Sequence, residues 1–180
     1  KGGMVVLVAD DPGPISSQTE QDTRSFAKYA KIPVFDPTSP EDAYEMIKDA
    51  FFLSGKIGTP VLFRPTTRVC HSCAIVDVEE IKPNLENGSF VKDSRWVIFP
   101  RLANQAKQKL FLREATLRDD LSSYPYNTVE GNGNTGIAYG GISAAYAKDA
   151  MAALQLKCKT LEIATPYPFP EKTALSFLEG

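Results

Sequence analysis

An α/β fold built on a parallel sheet is the class this sequence predicts, and three observations predict it. Met4–Ala9 is an apolar run without alternation, the pattern of a strand buried on both faces of a parallel sheet. Two more short apolar runs, Ile32–Phe35 and Thr59–Phe63, follow, each separated from the run before it by a helical pattern. Strand, helix, strand, helix, strand with short joints implies crossovers and parallel pairing. Finally, each run empties into a polar or Pro-rich loop, and ligands of open α/β sheets bind outside the carboxyl ends of such strands. The expected architecture is an incomplete doubly wound parallel sheet followed by part of a second α/β unit.

The first run, Met4–Ala9, leads into Asp10-Asp11-Pro12-Gly13, which is turn chemistry. Ser17 and Glu20 stand at capping-box spacing. A helix is therefore expected over Gln18–Ala30, with Phe26, Ala27 and Ala30 inward and its first amides facing the crevice. After Ile32–Phe35, Ser39 reads as a cap, Pro40 as the first helical residue, and Glu41 and Asp42 as first-turn acids. Ala43, Met46, Ile47, Ala50 and Phe51 then recur at helical spacing, with Gly55 as the expected stop. Thr59–Phe63 delivers Arg64-Pro65-Thr66-Thr67-Arg68 at its far end.

From about 78 to 92 the pattern dissolves into a connector, with a hairpin expected at Asn87-Gly88. Arg95–Pro100 reads as briefly extended, Leu102–Leu121 as a long polar surface helix bridging two units, and Tyr124–Gly133 as loop. The second unit runs through a strand at Asn134–Tyr139, a Gly140-Gly141 joint and a helix at Ser143–Leu154. The inner side of that helix is expected at Tyr146, Ala147, Ala150, Met151 and Leu154. A strand at Cys158–Ala164 and a helix at Glu171–Leu178 complete the pattern. The units are therefore drawn as 1–77, a connector 78–129, and 130–180.

With 180 residues there is chain enough for a sizeable core, and 43% hydrophobic with 23% charged residues is the balance of a soluble globular protein. A formal net charge of -2 argues against nucleic acid or an anionic membrane as the main partner. No apolar run reaches the roughly 18 residues of a membrane span, and Lys1-Gly2-Gly3 is not a signal peptide. The start and end both read as cut from something longer. Three cysteines fit no disulfide framework, so a reducing, cytoplasmic setting is expected.

The candidate functional loops are Asp10, Asp11, Ser17, Gln18, Glu20 and Gln21 after the first strand, and Arg64 and Arg68 after the third. Arginine at a strand end can clamp a carboxylate or phosphate. Pairing of one arginine with Asp10, Asp11 or Glu20, to hold the two loops together, is the favoured alternative. Cys70-His71-Ser72-Cys73 has C-x-x-C spacing and carries the one histidine. Adjacent Cys70 and His71 reach a single ion only with a distorted backbone, no second C-x-x-C completes a ribbon, and the pair follows a strand instead of opening a helix. A metal or redox role is therefore disfavoured, and so is His71 as a lone base. Gly131–Gly136 lacks the Gly-Lys-Ser/Thr of a phosphate loop, and Ser143 is in no nucleophile elbow. No catalytic residue is assigned within the chain.

Several of these segments together resemble one family. Lys1-Gly2-Gly3-Met4-Val5-Val6 leads to Ala9-Asp10-Asp11-Pro12 and then to Ser16-Ser17-Gln18-Thr19-Glu20-Gln21-Asp22-Thr23-Arg24. Pro60–Val69 with His71-Ser72, Thr135–Tyr139 and Tyr167–Lys172 follow in matching order. Across essentially the whole chain this resembles the α subunit of indolepyruvate:ferredoxin oxidoreductase. The resemblance implies a thiamine-diphosphate enzyme that converts aryl 2-oxoacids with coenzyme A to aryl-acetyl-CoA, carbon dioxide and reduced ferredoxin. It implies magnesium and 4Fe-4S clusters in the full enzyme, a β subunit and a second αβ copy as partners, and ferredoxin as electron acceptor. Residues 1–77 would be the later part of a pyrimidine-binding-like domain, and 130–180 the start of a transketolase-C-terminal-like domain. The Gly-Asp-Gly stretch and four-cysteine run expected of the family are missing here. No cofactor is therefore expected on this segment alone, and the segment alone is expected to be inactive. The competing expectation is a stand-alone α/β module that binds an anion or assists assembly without catalysis.

Overall fold

Val61, Leu62 and Phe63 are all buried, and they form the central strand of the first sheet. The structure, a computed structural model, describes residues 2–80 and 88–179. In chain order the first unit holds β1 (Val5–Leu7), α1 (Arg24–Ala30), β2 (Val34–Phe35), α2 (Pro40–Ile57), β3 (Val61–Phe63) and the short α3 (Thr67–Cys70). Among the described residues the sheet order is β1-β3-β2, with both pairings parallel: Val5 opposite Val61, and Val34 opposite Leu62. The parallel α/β expectation holds. The first strand is nevertheless an edge in this sheet, with Leu7 63% exposed, not the doubly buried interior strand its apolar run suggests. An unbroken apolar run is common to strands of a parallel sheet, and it cannot say which of them has neighbours on both sides.

The start of α2 follows from local chemistry. Ser39 Oγ accepts the Asp42 amide at 3.1 Å, Pro40 fills the first turn, and Glu41 and Asp42 face the positive end of the helix dipole. Gly55 does not stop it. The helix runs on to Ile57 and ends at Gly58, whose φ of +64° supplies the left-handed cap. Met46 and Ala50 reach zero exposure on the inner face of α2, packed with Phe35, Val61 and Phe63.

After the connector, a 3-10 turn spans Ser94–Trp96 where an extended segment was expected. The expected hairpin centres on Asn87, which lies outside the described residues, and Gly88–Lys92 form no strand. The long helix α4 covers Pro100–Ser122 and gives only Leu117 and Leu121 to the interior. Then come β4 (Thr128–Glu130), β5 (Gly136–Gly140), α5 (Ser143–Leu154), β6 (Lys159–Ile163) and α6 (Glu171–Glu179). The second sheet has the order β4-β6-β5, with β5 parallel and β4 antiparallel to β6. Strand β4 lies in the stretch expected to be loop; it is three residues long, between Pro125 and Gly131, and too short to show alternation. The inward face expected for α5 is mostly uncovered, with Tyr146 and Leu154 exposed and Ala144 instead buried.

The two units share one interior. The Val34 amide donates to Tyr167 O at 2.7 Å and the Asp36 amide to Ala164 O at 2.8 Å, so the outer edge of β2 pairs with the segment after β6. Leu121 and Ala164 complete one cluster with Phe35, Met46 and Val61, and Tyr167 closes another with Ala27, Val34 and Leu62. Asn127 ties the same region together. Its Nδ2 donates to Leu121 O and Thr165 Oγ1, and its Oδ1 accepts the Ala164 and Thr165 amides.

Candidate functional site

Each parallel strand of the first sheet exits into a charged residue, and the sheet order brings these residues together. Asp10 follows β1, Asp36 follows β2, and Arg64 follows β3. Because β3 lies between β1 and β2, Arg64 sits between the two carboxylates. Arg64 Nε donates to Asp10 Oδ2 at 2.5 Å and Nη1 donates to Asp36 Oδ2 at 2.9 Å. Asp22 Oδ1 stands 3.5 Å from Nη2. The Arg64 side chain is 2% exposed. The loop-pairing alternative for the arginines is therefore realised in Arg64, whose Nε and Nη1 are committed to Asp10 and Asp36, while Nη2 is buried without a hydrogen bond. Burial at this depth requires such partners.

Asp10 and Asp11 organise the loop between them and α1. Thr23 donates to Asp10 Oδ2 twice, from its amide at 2.7 Å and its hydroxyl at 2.9 Å. Asp11 Oδ2 accepts the amides of Ile15, Ser16 and Ser17 at 2.8–2.9 Å, and the Ser17 hydroxyl at 2.8 Å. This overturns the capping-box expectation. Residues 18–23 are not helical, α1 starts at Arg24, and Ser17 serves Asp11 instead of a helix end. The amides that Asp11 holds lie ahead of the expected helix, and at the observed start of α1 the Thr23 amide goes to Asp10 and the Arg24 amide to Asp22. The physical reason is local: a buried Asp needs donors, and three consecutive amides plus a hydroxyl meet that need more fully than a single cap.

These contacts set the charges. Hydrogen bonds from the Ser16 and Ser17 amides, with those of Ile15, hold the Asp11 carboxyl far below the usual carboxylate range. The Arg24 guanidinium, paired with Asp22 at 2.5 Å, brings Asp22 down to about 2. Asp36 moves the other way: burial raises it to about 6, against the opposing pull of Arg64. Its carboxylate also meets the second unit. A Cβ on Gly141 would stand 2.8 Å from Asp36 Oδ1 and 2.9 Å from Oδ2, and Gly141 has φ +53°. Glycine is required there by both the space and the backbone angle.

The raised Asp36 value has a consequence for stability. Folding favours the protonated acid, so its contribution is complete below about pH 4 and is lost as pH rises through about 6. Two pH units correspond to about 3 kcal/mol. In urea unfolding, the Asp36→Asn variant should improve relative to the parent between about pH 4.5 and pH 7.5, by about 1–3 kcal/mol. A constant difference between the two proteins across that range would remove Asp36 as the titrating group.

The remaining expected residues separate. Gln21 bridges back to Asp11 through its amide at 3.4 Å, while Gln18 and Glu20 lie exposed on the outside of the loop. Arg68 is exposed on α3, with its guanidinium 5.4 Å from the Tyr146 ring centre on α5. Asp36 and Asp22 were not singled out, although the strand-end logic applied to Asp10 and Arg64 applies equally to Asp36. Its neighbours Pro37, Thr38 and Ser39 read as a helix start and hid it. Cys70 and Cys73 are exposed thiols, and the described residues hold no group of three or more His, Cys, Asp or Glu suited to a metal. Three cysteines cannot supply the four thiolates of a 4Fe-4S cluster. In the second unit an open cleft of about 590 Å³ lies beside α5, but its Lys148 is already paired with Glu162 at 2.7 Å.

No family profile matches the chain. Over its full length the chain is 39% identical to indolepyruvate oxidoreductase subunit IorA of Thermococcus kodakarensis. The corresponding subunit of Methanothermobacter thermautotrophicus is 37% identical, again over the whole chain. The chain spans only about three tenths of the length of these curated relatives (29% and 30%). Among solved structures it is similar to 2-oxoglutarate:ferredoxin oxidoreductase from Magnetococcus marinus, at a TM-score of 0.65 and 16% identity, covering 97% of this chain and 39% of the other. That protein was solved with 2-oxoglutarate, coenzyme A and succinyl-CoA bound. At that identity the likeness concerns the fold.

Proposed function

We propose that this chain is a segment of an indolepyruvate oxidoreductase subunit of the IorA kind, working within a ferredoxin-dependent aryl 2-oxoacid oxidoreductase. The observation that carries the proposal is the identity of 34–39% to six IorA subunits over 99–100% of the chain. The reaction is the oxidative decarboxylation of indolepyruvate or a related aryl 2-oxoacid, with coenzyme A, to the aryl-acetyl-CoA. Thiamine diphosphate with magnesium would supply the carbanion chemistry in the whole enzyme, and 4Fe-4S clusters the path for electrons. The three cysteines of this chain cannot hold a 4Fe-4S cluster, and on this reading the segment is inactive without the rest of the assembly. In the assembly its partners are the β subunit, a second αβ copy and ferredoxin. Residues 1–77 and about 130–180 are the two domain portions, the second beginning with β4 at Thr128, and the connector lies between them.

Within that reading the buried cluster positions and the loop surface contacts. Asp10, Asp11 and Arg64 hold the loop 12–21 at the carboxyl ends of the strands, where ligands of such sheets bind. Gln18, Glu20 and Arg68 keep exposed polar groups there, and they border the substrate pocket or the subunit interface. The test uses the complete assembly, assaying coenzyme A-dependent reduction of an electron acceptor with indolepyruvate, phenylpyruvate, pyruvate and 2-oxoglutarate. Aryl substrates should be preferred, and Glu20→Ala or Arg68→Ala should lower kcat/KM for them by about tenfold, the equivalent of one lost polar contact. Preference for 2-oxoglutarate would reassign the substrate. Unaltered kinetics and unaltered subunit content in both variants would take the loops out of the site and the interface.

A further inference from the structure

An asparagine followed by glycine is a reactive pair when both are accessible, because no side chain screens the glycine nitrogen from the asparagine amide carbon. The asparagines of this chain fall in very different settings. Asn127 is buried, and its amide is spent on four hydrogen bonds. Asn104 lies within α4, where the helix commits the backbone nitrogen that follows it. Asn134 is exposed, but it precedes Thr135, whose branched side chain crowds its own nitrogen. Asn132 precedes Gly133 in the loop between β4 and β5, and both are exposed. Among the described residues the Gly133 amide donates no hydrogen bond, and the Asn132 side chain has no partner. Glycine is also required at 133. Its φ is +146°, and a Cβ there would stand 3.1 Å from Lys157 O, so the fold itself keeps the nitrogen unscreened.

We infer that Asn132 is a site of spontaneous covalent modification, losing its side-chain amide through a cyclic imide with Gly133. The Gly133 nitrogen bonds to Asn132 Cγ and gives its proton to solvent, and the side-chain nitrogen leaves as ammonia. Water then opens the ring. Breaking the new Cγ–N bond leaves aspartate, whereas breaking the original peptide C–N bond leaves isoaspartate, with the chain routed through Cβ. Either product adds one negative charge to the lining of the cleft beside α5, which Lys148 and Lys157 also line. Isoaspartate in addition lengthens the main chain of a tightly fitted loop. Gly131 lies so close to β6 that a Cβ on it would stand 2.5 Å from Cys158 O. Because β4 and β5 both pair with β6, the extra atom loosens the edge where Glu130 meets Thr160.

The test ages the full-length subunit, purified with its partner chains, and maps its peptides by mass spectrometry with electron-transfer fragmentation. Conversion at Asn132 should exceed that at Asn104, Asn127 and Asn134 by about tenfold or more, with isoaspartate the larger product. It should run several-fold faster at about pH 8 than at about pH 6, because the attacking nitrogen acts deprotonated. Amide exchange at Val129 and Glu130 should quicken in the aged parent and not in Asn132→Ser aged alongside it. Conversion at Asn132 no faster than at Asn134, or aspartate as the sole product, would overturn the inference. Equal exchange in the two aged proteins would overturn the effect on the sheet. The activity proposed above stands or falls separately from these outcomes.

Discussion

Replacing Arg64 with Met is expected to cost about 3–5 kcal/mol, a large share of the stability of a typical domain. The substitution preserves much of the volume and removes the cation from between Asp10 and Asp36, which are buried at the exits of β1 and β2. Two carboxylates would then share a dry site with no cation bonded to either, Asp10 keeping only its two bonds from Thr23, and the penalty is that of uncompensated charge more than of lost packing. Chemical denaturation of the parent, Arg64→Met and Arg64→Lys proteins would measure it. Arg64→Lys should lose less, because an ammonium keeps the charge but cannot bond Asp10 and Asp36 from one rigid fork. The double variant Arg64→Met/Asp36→Asn should recover part of the loss, since it removes one of the stranded charges. A single Met variant as stable as the parent would show that the cluster does not hold the strand exits together.

Asn127→Ala is the second large effect, about 2–4 kcal/mol. The side chain makes four buried hydrogen bonds, two as donor to Leu121 O and Thr165 Oγ1 and two as acceptor from the Ala164 and Thr165 amides. Removing it strands the Ala164 and Thr165 amides and the Thr165 hydroxyl, while Leu121 O keeps the Tyr124 amide at 3.1 Å, and each unsatisfied buried group costs on the order of 1 kcal/mol or more. Amide hydrogen exchange should locate the damage at Ala164, Thr165 and the end of α4, with the centre of α2 affected only through global stability. A uniform loss of protection at all amides, or a change below about 0.5 kcal/mol, would contradict this assignment.

Asn127 also shows why part of the site is hidden from the sequence. It precedes a three-residue strand that carries too little pattern to be seen, and its partners lie up to 38 residues away. Asp36 was hidden differently: its local setting gave a sufficient reason for an acid near a helix start, so its distant role left no separate mark. The Ser17–Glu20 spacing misled because a capping box and an Asp-centred loop use the same residue types. By contrast, Ser39, Pro40 and Asp42 act within one helical turn of one another, and both the expected start of α2 and its geometry follow from them.

The sequence by itself determined what has a local cause: the presence of the helices, the Ser39-capped start of α2 and its apolar face, the parallel pairing implied by short joints, and the family likeness across the whole chain. Only the tertiary structure decided that β1 lies at an edge and β3 at the centre, and hence that Arg64 stands between Asp10 and Asp36. Those contacts join residues 54 and 28 positions apart. Strand order and desolvation choose such partners, and neither is written in the spacing of neighbouring residues.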